Sequence, residues 1–113
     1  MSISYSNFFA PIALGIAAST LFTIPAATPA TLLRGGRVRF TNTTAAPATV
    51  TAYAVPLAGT AAAGNAFVSG KTVAANDYLD VDMPVMPAGA FLSALSGTAS
   101  SITAHMISGS YFV

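Results

Sequence analysis

The chain has 113 residues, of which 54% are hydrophobic and 6% charged, and its formal net charge is +1 at pH 7. This length suits one domain, and the charge balance gives no overall field to attract nucleic acid or an acidic membrane. The absence of cysteine excludes disulfides, thiol catalysis and sulfur-ligated zinc sites. Soluble proteins have roughly 25% charged residues. The much smaller fraction in this chain favours a protein that works within an assembly, as a homo-oligomer or with other proteins.

The most hydrophobic part of the chain is residues 8–30, FFAPIALGIAASTLFTIPAATPA. No Lys or Arg precedes Arg34, whereas a secretory signal begins with a positively charged segment. Several prolines interrupt a run that a membrane helix would keep unbroken. We therefore expect a structural segment, and a mature chain that begins at or next to Met1.

Residues 1–18 are rich in large apolar side chains but lack the alternation that assigns residues to a sheet face. Their helical candidate is PIALGIAAS (11–19), which Gly15 weakens. We expect this segment to be an N-terminal apolar arm that lies on a neighbouring subunit, while residues 19–113 form the β-domain. The arm residues predicted to bind the partner are Phe8, Phe9, Ile12, Leu14 and Ile16.

From residue 19 onward, short alternating segments are separated by turn residues. The predicted strands are STLFTI (19–24), RVRFTNT (37–43), ATVTAYAV (48–55), FVSGKTVAA (67–75), YLDVDM (78–83), AFLSALS (90–96) and ITAHMISGSYFV (102–113). The segments at 37–43 and 48–55 are joined by a short TAAP turn, so we expect them to pair as adjacent antiparallel strands. We also expect a bend at Gly35 and Gly36, and a bulge or bend at Gly109. This pattern predicts an all-β fold, an antiparallel sandwich or jelly-roll-like barrel of six to eight short strands.

Three of the four basic residues lie close together in RGGRVRF (34–40). In a strand, Arg37 and Arg39 share one face, while Val38 and Phe40 share the other. Charged strand faces are usually solvated, and the alternative is that the two arginines contact an acidic partner surface. Nucleic-acid binding is not supported, because neither interleaved aromatic residues nor further basic residues accompany them.

Few residues are candidates for catalysis or metal binding. The chain has one histidine, His105, and a lone imidazole without identifiable partners indicates packing or a surface position. Asp80 and Asp82 share a strand face but lack the number and spacing of oxygen ligands that a cation site needs. They are expected to be solvated, or to form ion pairs with a neighbouring subunit's arginines. We predict no catalytic residue, no cofactor and no metal.

The order of these segments resembles a group of small virion proteins of tailed bacteriophages. The matching segments are Leu21 to Pro25, Phe40 to Thr43, Thr49 to Val55, Met86 to Gly89 and Ile107 to Gly109. The likeness covers roughly residues 19–110. It implies a β-sandwich structural protein that is made in the bacterial host cytoplasm and assembled onto the particle.

The resemblance implies a non-enzymatic capsid decoration or cement protein that binds and stabilises the head shell. Its partners would be the major capsid protein or other virion proteins, with no nucleic acid and no membrane. One alternative is a virion protein associated with the tail, neck or fibre. Another is a carbohydrate-binding module, which needs clustered exposed aromatic residues, whereas the four tyrosines at 5, 53, 78 and 111 are scattered.

Overall fold

The computed structural model describes residues 3–4, 11–24 and 32–112. In these residues the chain is all-β, and two antiparallel sheets pack face to face as a sandwich that does not close into a barrel. The predicted β-sandwich is confirmed. A 3₁₀ turn over Ala63–Asn65 is the only helical element in the described ranges, so the helical candidate at 11–19 is wrong. None of the described residues forms a helix long and apolar enough to cross a membrane.

In the described residues, ten strands build the two sheets. They are β1 (Ile3–Ser4), β2 (Ile12–Ala13), β3 (Ser19–Thr23), β4 (Leu32–Asn42), β5 (Ala48–Val55), β6 (Ala66–Val73), β7 (Tyr78–Asp82), β8 (Met86–Pro87), β9 (Phe91–Ser96) and β10 (Ile102–Phe112). Sheet A has the order β1-β10-β4-β7, and in addition β2 pairs with β10 and β8 pairs with β4. Sheet B has the order β3-β9-β5-β6.

The core lies between the two sheets and consists of alternate residues from the central strands. Val38 and Phe40 point inward from β4, on the face opposite the arginines, as the alternation predicts. The other central core residues, each less than 2% exposed, are Val50, Ala52, Leu92, Ala94, Ile102 and Ala104. Alanines on β5, β9 and β10 let the sheets approach each other around the larger Phe40 and Leu92 side chains.

The turn between β4 and β5 carries the chain from sheet A to sheet B. β4 pairs with β10 and β7, while β5 pairs with β9 and β6. The expectation that these two strands pair with each other is therefore wrong. Alternation identified both strands, but each has one buried face in either arrangement, so their pattern does not distinguish a hairpin from a crossing between sheets.

Asn42, at the end of β4, is fully buried and holds this crossing in place. Its Nδ2 donates to the carbonyl oxygens of Ala46 (2.8 Å), Val73 (3.1 Å) and Ala74 (3.2 Å). Its Oδ1 accepts from the backbone N–H of Thr44 at 2.9 Å and from the Thr44 hydroxyl at 2.7 Å. One side-chain amide therefore ties the β4–β5 turn to the β6–β7 connection, which crosses between the same two sheets.

The pairing of β4 with β10 shifts register twice. Ser108 lies opposite Arg37 and Ser110 opposite Arg34, so β4 has one residue more than β10 in this interval. The extra residue lies in the Gly35–Gly36 pair, across from Gly109. The expected irregularity at Gly109 is confirmed, whereas the two glycines at 35 and 36 lie within a strand and do not form a separate bend.

One of the two edge strands of sheet B, β6, also contains extra residues. Val50 pairs with Lys71 and Ala52 with Val68, so Ser69 and Gly70 occupy an interval where β5 has only Thr51. Gly70 has a φ of 57°, which glycine adopts without a steric penalty. Its N–H donates to the Thr51 hydroxyl at 3.0 Å, so the bulge is anchored to the neighbouring strand.

The segment after β2 closes one end of the sandwich. Leu14 donates its N–H to the carbonyl of Ile102 in sheet A at 2.8 Å, and the carbonyl of Gly15 accepts from the N–H of Ser96 in sheet B at 2.9 Å. The Leu14 side chain lies between the sheets and is 1% exposed, and Ile12 packs against the same core while half-buried.

These contacts correct part of the arm hypothesis. Ile12 and Leu14 were predicted to bind a neighbouring subunit, but they pack into this chain's own core because the open end between the sheets requires apolar side chains to fill it. Phe8 and Phe9 lie outside the described residues. Ile16 is 68% exposed, and the contact of this N-terminal segment with a neighbouring subunit stays a prediction.

Candidate interaction surfaces

The outer face of sheet A carries two ion pairs side by side. Strand register places Arg37 directly opposite Asp82, and Arg39 directly opposite Asp80. Arg39 donates from Nε to Asp80 Oδ1 at 2.7 Å and from Nη2 to Oδ2 at 2.9 Å, which is a bidentate pair. Arg37 donates from Nε to Asp82 Oδ1 at 2.9 Å. We call these four residues the ion-pair ladder.

The two pairs of the ladder differ in exposure. The side chains of Arg39 and Asp80 are 38% and 23% exposed, whereas those of Arg37 and Asp82 are 48% and 80% exposed. The inner pair, Arg39 with Asp80, is held by two hydrogen bonds, and the outer pair, Arg37 with Asp82, by one. The inner pair is therefore the more rigid, and the outer pair keeps more of its bonding capacity for water or a partner.

Aromatic and imidazole groups flank the inner pair. The Tyr78 ring, at the start of β7, lies with its centroid 4.1 Å from Arg39 Cζ, within the range of a cation–π contact. On the other side, His105 of β10 lies directly opposite Arg39 in the strand register and is half-buried. The sequence predicted a packing or surface position for His105, but it did not predict that His105 and Tyr78 would flank the same arginine.

The inner pair changes the ionisation of both partners. The hydrogen bonds from Arg39 are the main reason that the pKa of Asp80 is lowered from its usual value. Burial acts in the opposite direction, and the charges of Arg39 and Arg37 add smaller decreases. The same hydrogen bonds raise the pKa of Arg39. Both groups therefore stay charged at neutral pH.

The lowered pKa of Asp80 predicts an acid-dependent loss of stability. A carboxylate with a depressed folded-state pKa stabilises the fold above its unfolded pKa, near 3.9, and this contribution disappears as the pH falls through the folded-state value. We expect the difference in unfolding free energy between wild type and Asp80→Asn to be largest near neutral pH and to shrink below about pH 4. Urea unfolding at a series of pH values measures it.

Arg39→Gln is the matched control for this prediction. Because the shift in the pKa of Asp80 depends on the Arg39 guanidinium, removing that group should eliminate the same pH-dependent component. A difference between wild type and either variant that does not change with pH would contradict the coupling.

The ladder bears on two sequence-based predictions. Arg37 and Arg39 were predicted to be solvated or to contact an acidic partner, and the structure pairs them with acidic residues of the same chain. Asp80 and Asp82 were likewise considered as partners for a neighbouring subunit's arginines. Contact of this face with a partner stays a prediction. In the described part of the chain, no three His, Cys, Asp or Glu side chains are grouped closely enough to hold a metal ion.

Large apolar side chains are exposed at both ends of the sandwich. Ile16 lies at the end where β9 finishes, next to the Gly15 carbonyl that binds Ser96. At the opposite end, Leu57 follows β5 and is 71% exposed, and Val85 follows β7 and is 60% exposed. Neither Leu57 nor Val85 was predicted from the sequence to bind a partner. The sequence feature that could have indicated both residues is a large apolar side chain directly after a proline in a turn, at Pro56–Leu57 and Pro84–Val85.

The Leu57 turn is fixed in position by its neighbours. Gly59 donates its N–H to the Pro56 carbonyl at 2.9 Å, and Ala58 has a φ of 62°. The Leu57 side chain rests on Gly89, where an added Cβ would lie 2.7 Å from Leu57 Cδ1. The φ of Gly89 is 83°, so both the backbone conformation and this packing require glycine.

A shallow depression of about 240 Å³ lies near the other end of sheet B. Its lining consists of small and hydroxyl-bearing residues, namely Pro47, Ala48, Thr49, Thr72, Gly97 and Thr98. With neither a charged nor an aromatic side chain in this lining, the depression offers hydrogen-bonding groups but no feature that selects a particular ligand class.

The sequence matches no family model and no curated protein. Among solved structures, the chain is similar to a chain in the structure of infectious bursal disease virus Gx strain, with 17% sequence identity and a TM-score of 0.49. The likeness covers 97% of this chain and 30% of the viral one. A likeness at this level does not identify a function.

Proposed function

We propose that this chain is a non-enzymatic structural protein of a virus particle, of the kind that decorates or cements the head shell of a tailed bacteriophage. It would be made in the host cytoplasm and act on the assembled virion, where it binds the major capsid protein or another virion protein. The sequence resemblance over roughly residues 19–110 supports this proposal. Its interactions would be with protein surfaces, including further copies of itself, and not with nucleic acid or membrane.

The observation that carries the proposal is the exposure of large aliphatic side chains at both ends of the sandwich, at Ile16, Leu57 and Val85. Only 6% of the residues are charged, so few charges oppose association of these surfaces with a partner. A partner surface that covers these side chains would remove their apolar area from water, which favours association.

Attachment in this proposal works through buried apolar area. Each large aliphatic side chain that is fully covered contributes about 1.5 to 3 kcal/mol before ordering costs are subtracted. Because the Leu57 turn is already fixed by Gly59 and Gly89, its share of the ordering cost is small. A few such contacts per subunit, repeated over a symmetric shell, would hold the subunits in place.

Locating the protein in the particle tests this proposal. An antibody raised against the purified protein is applied to virus particles from the natural source, and cryo-EM maps are compared for particles with and without the protein. We expect cosedimentation with the particle and additional density on the head shell. Density at the tail, neck or fibre would support the alternative virion role, and absence from particles would contradict both.

A variant tests the contact surface itself. Replacing Ile16, Leu57 and Val85 by serine should leave a folded protein that no longer restores occupancy when added to depleted particles. The matched control replaces three exposed polar residues, Thr20, Thr60 and Ser69, by alanine. Equal occupancy for both variants would show that these apolar side chains are not the attachment surface.

A further inference from the structure

The charges of the ion-pair ladder are arranged in two parallel columns of opposite sign. Arg37 and Arg39 form a positive column along β4, and Asp80 and Asp82 form a negative column along β7. Neighbouring strands are about 4.8 Å apart, so the columns lie side by side on one face. The ladder as a whole is neutral, but its two columns are not interchangeable.

We propose that this face of sheet A is a self-complementary interface that binds the same face of a second copy of this chain. Consider a two-fold axis that runs parallel to the strands, midway between β4 and β7 and above the sheet. This operation places β7 of the second copy over β4 of the first, and β4 of the second over β7 of the first. Positions along the strands are unchanged, so Asp82 of the second copy lies over Arg37 of the first, and Asp80 over Arg39. Each guanidinium then faces a carboxylate of the other copy, as an isologous interface requires.

The pattern of charge selects a second copy over other partners. A uniformly acidic surface would be attracted by the arginines but repelled by the neighbouring aspartates, and a basic surface would meet the reverse conflict. A partner that satisfies both columns must carry stripes of alternating sign at the spacing of adjacent strands. This chain supplies such a surface in every copy.

The outer pair has the bonding capacity that a second copy would use. In the described part of the chain, Arg37 donates to Asp82 only through Nε, which leaves the donors on both Nη atoms. The Asp82 carboxylate is 80% exposed and accepts from Arg37 through Oδ1 alone. The inner pair, with its two hydrogen bonds and its Tyr78 contact, serves to position the columns.

Tyr78 would add apolar area to this contact. Its side chain is about half exposed and lies in the same face, in the row next to the inner pair. The two-fold operation places it over Thr41 of the second copy, since Thr41 is its partner in the register. Aromatic residues are enriched in protein interfaces because they bury a large area at low entropy cost.

This inference rests on the proposed role in an assembly. Its test measures self-association in solution, so the interface and the virion role can be refuted independently. Sedimentation velocity of the full chain at micromolar concentrations should show a monomer–dimer equilibrium. The dimer should weaken between about 0.05 and 0.5 M salt, because screening reduces contacts between partly exposed charges. A wild-type chain that stays monomeric at low salt would overturn the proposal.

Single substitutions at the outer pair identify the face. Arg37→Asp leaves two negative charges at the outer pair, and Asp82→Arg leaves two positive charges. Like charges would then face each other across the interface, so each variant alone should dimerise at least about tenfold more weakly than wild type. The double variant R37D/D82R restores opposite signs and should dimerise within about threefold of wild type. An equimolar mixture of the two single variants should form heterodimers.

A control separates this face from general charge effects. Lys71→Asp changes the net charge by the same amount as Arg37→Asp, but it lies on β6 of sheet B, and it should leave dimerisation unchanged. Circular dichroism confirms that each variant is folded. Equal weakening by Lys71→Asp, or failure of the double variant to recover, would overturn the assignment of the interface to the ladder.

Discussion

Replacing Leu14 by alanine will lower the free energy of unfolding by about 3 kcal/mol and the melting temperature by about 10 °C. The side chain is 1% exposed and fills the end of the sandwich between the two sheets. The shortened side chain loses apolar burial and leaves a cavity, and the backbone hydrogen bonds that join Leu14 to Ile102 and Ser100 resist its closure. Urea unfolding monitored by circular dichroism measures the loss.

Ile16→Ala is the matched control, because it removes a similar aliphatic side chain two residues further along. Ile16 is 68% exposed, so this variant should lie within about 0.5 kcal/mol of wild type. Equal and small effects of the two substitutions would restore the hypothesis that residues 1–18 form an arm outside the core.

Changing Asn42 to aspartate will destabilise the fold by about 3 to 5 kcal/mol at neutral pH. The two side chains have nearly the same shape, so the change tests hydrogen bonding and not packing. The Nδ2 donor, which lies near three carbonyl oxygens, is replaced by a charged oxygen that repels them. Because this amide joins the β4–β5 turn to the β6–β7 connection, we expect both crossings between the sheets to loosen.

Asn65→Asp provides the comparison for this second variant. The Asn65 side chain also bonds to backbone groups, with Nδ2 donating to the Thr60 carbonyl and Oδ1 accepting from the N–H of Ala62. These bonds are exposed to solvent, so water can replace them and the cost should stay below about 1 kcal/mol. Hydrogen exchange should show faster opening near Val73 in Asn42→Asp and not in Asn65→Asp. Similar losses in the two variants would contradict the role of Asn42.

The sequence predicted strands well where one face is buried and the other is polar. The predicted boundaries of the 48–55 segment coincide with those of β5 (Ala48–Val55), and in YLDVDM the alternation correctly placed Val81 and Met83 inward and the aspartates outward. Period-2 alternation has a direct physical cause, since successive side chains point to opposite faces of the sheet. It therefore identifies strands and their inner faces without knowledge of their neighbours.

Pairing between strands could not be predicted in the same way. Whether β4 lies beside β5 or beside β7 depends on contacts between residues distant in sequence, such as Asn42 with the carbonyl of Val73. The sequence showed that the two arginines share one strand face and that the two aspartates share another. Their contact with each other follows from the pairing of β4 with β7, which the sequence did not reveal. Leu14 was misassigned because a short segment that fills the end of a sandwich has no periodicity to reveal it.

The bulged outer strand of sheet B has a consequence for how copies of this chain can meet. A protein that is more than half hydrophobic and sparsely charged risks adding foreign strands to an open sheet edge, the first step towards a cross-β fibre. In β6, the extra residues at Ser69 and Gly70 interrupt the regular row of backbone hydrogen-bonding groups. Lys71 also places a charge in this edge strand, next to the position that an added strand would occupy. The β6 edge is thus a poor template for fibre growth, so copies of this chain that meet at high local concentration are not expected to add strands along it.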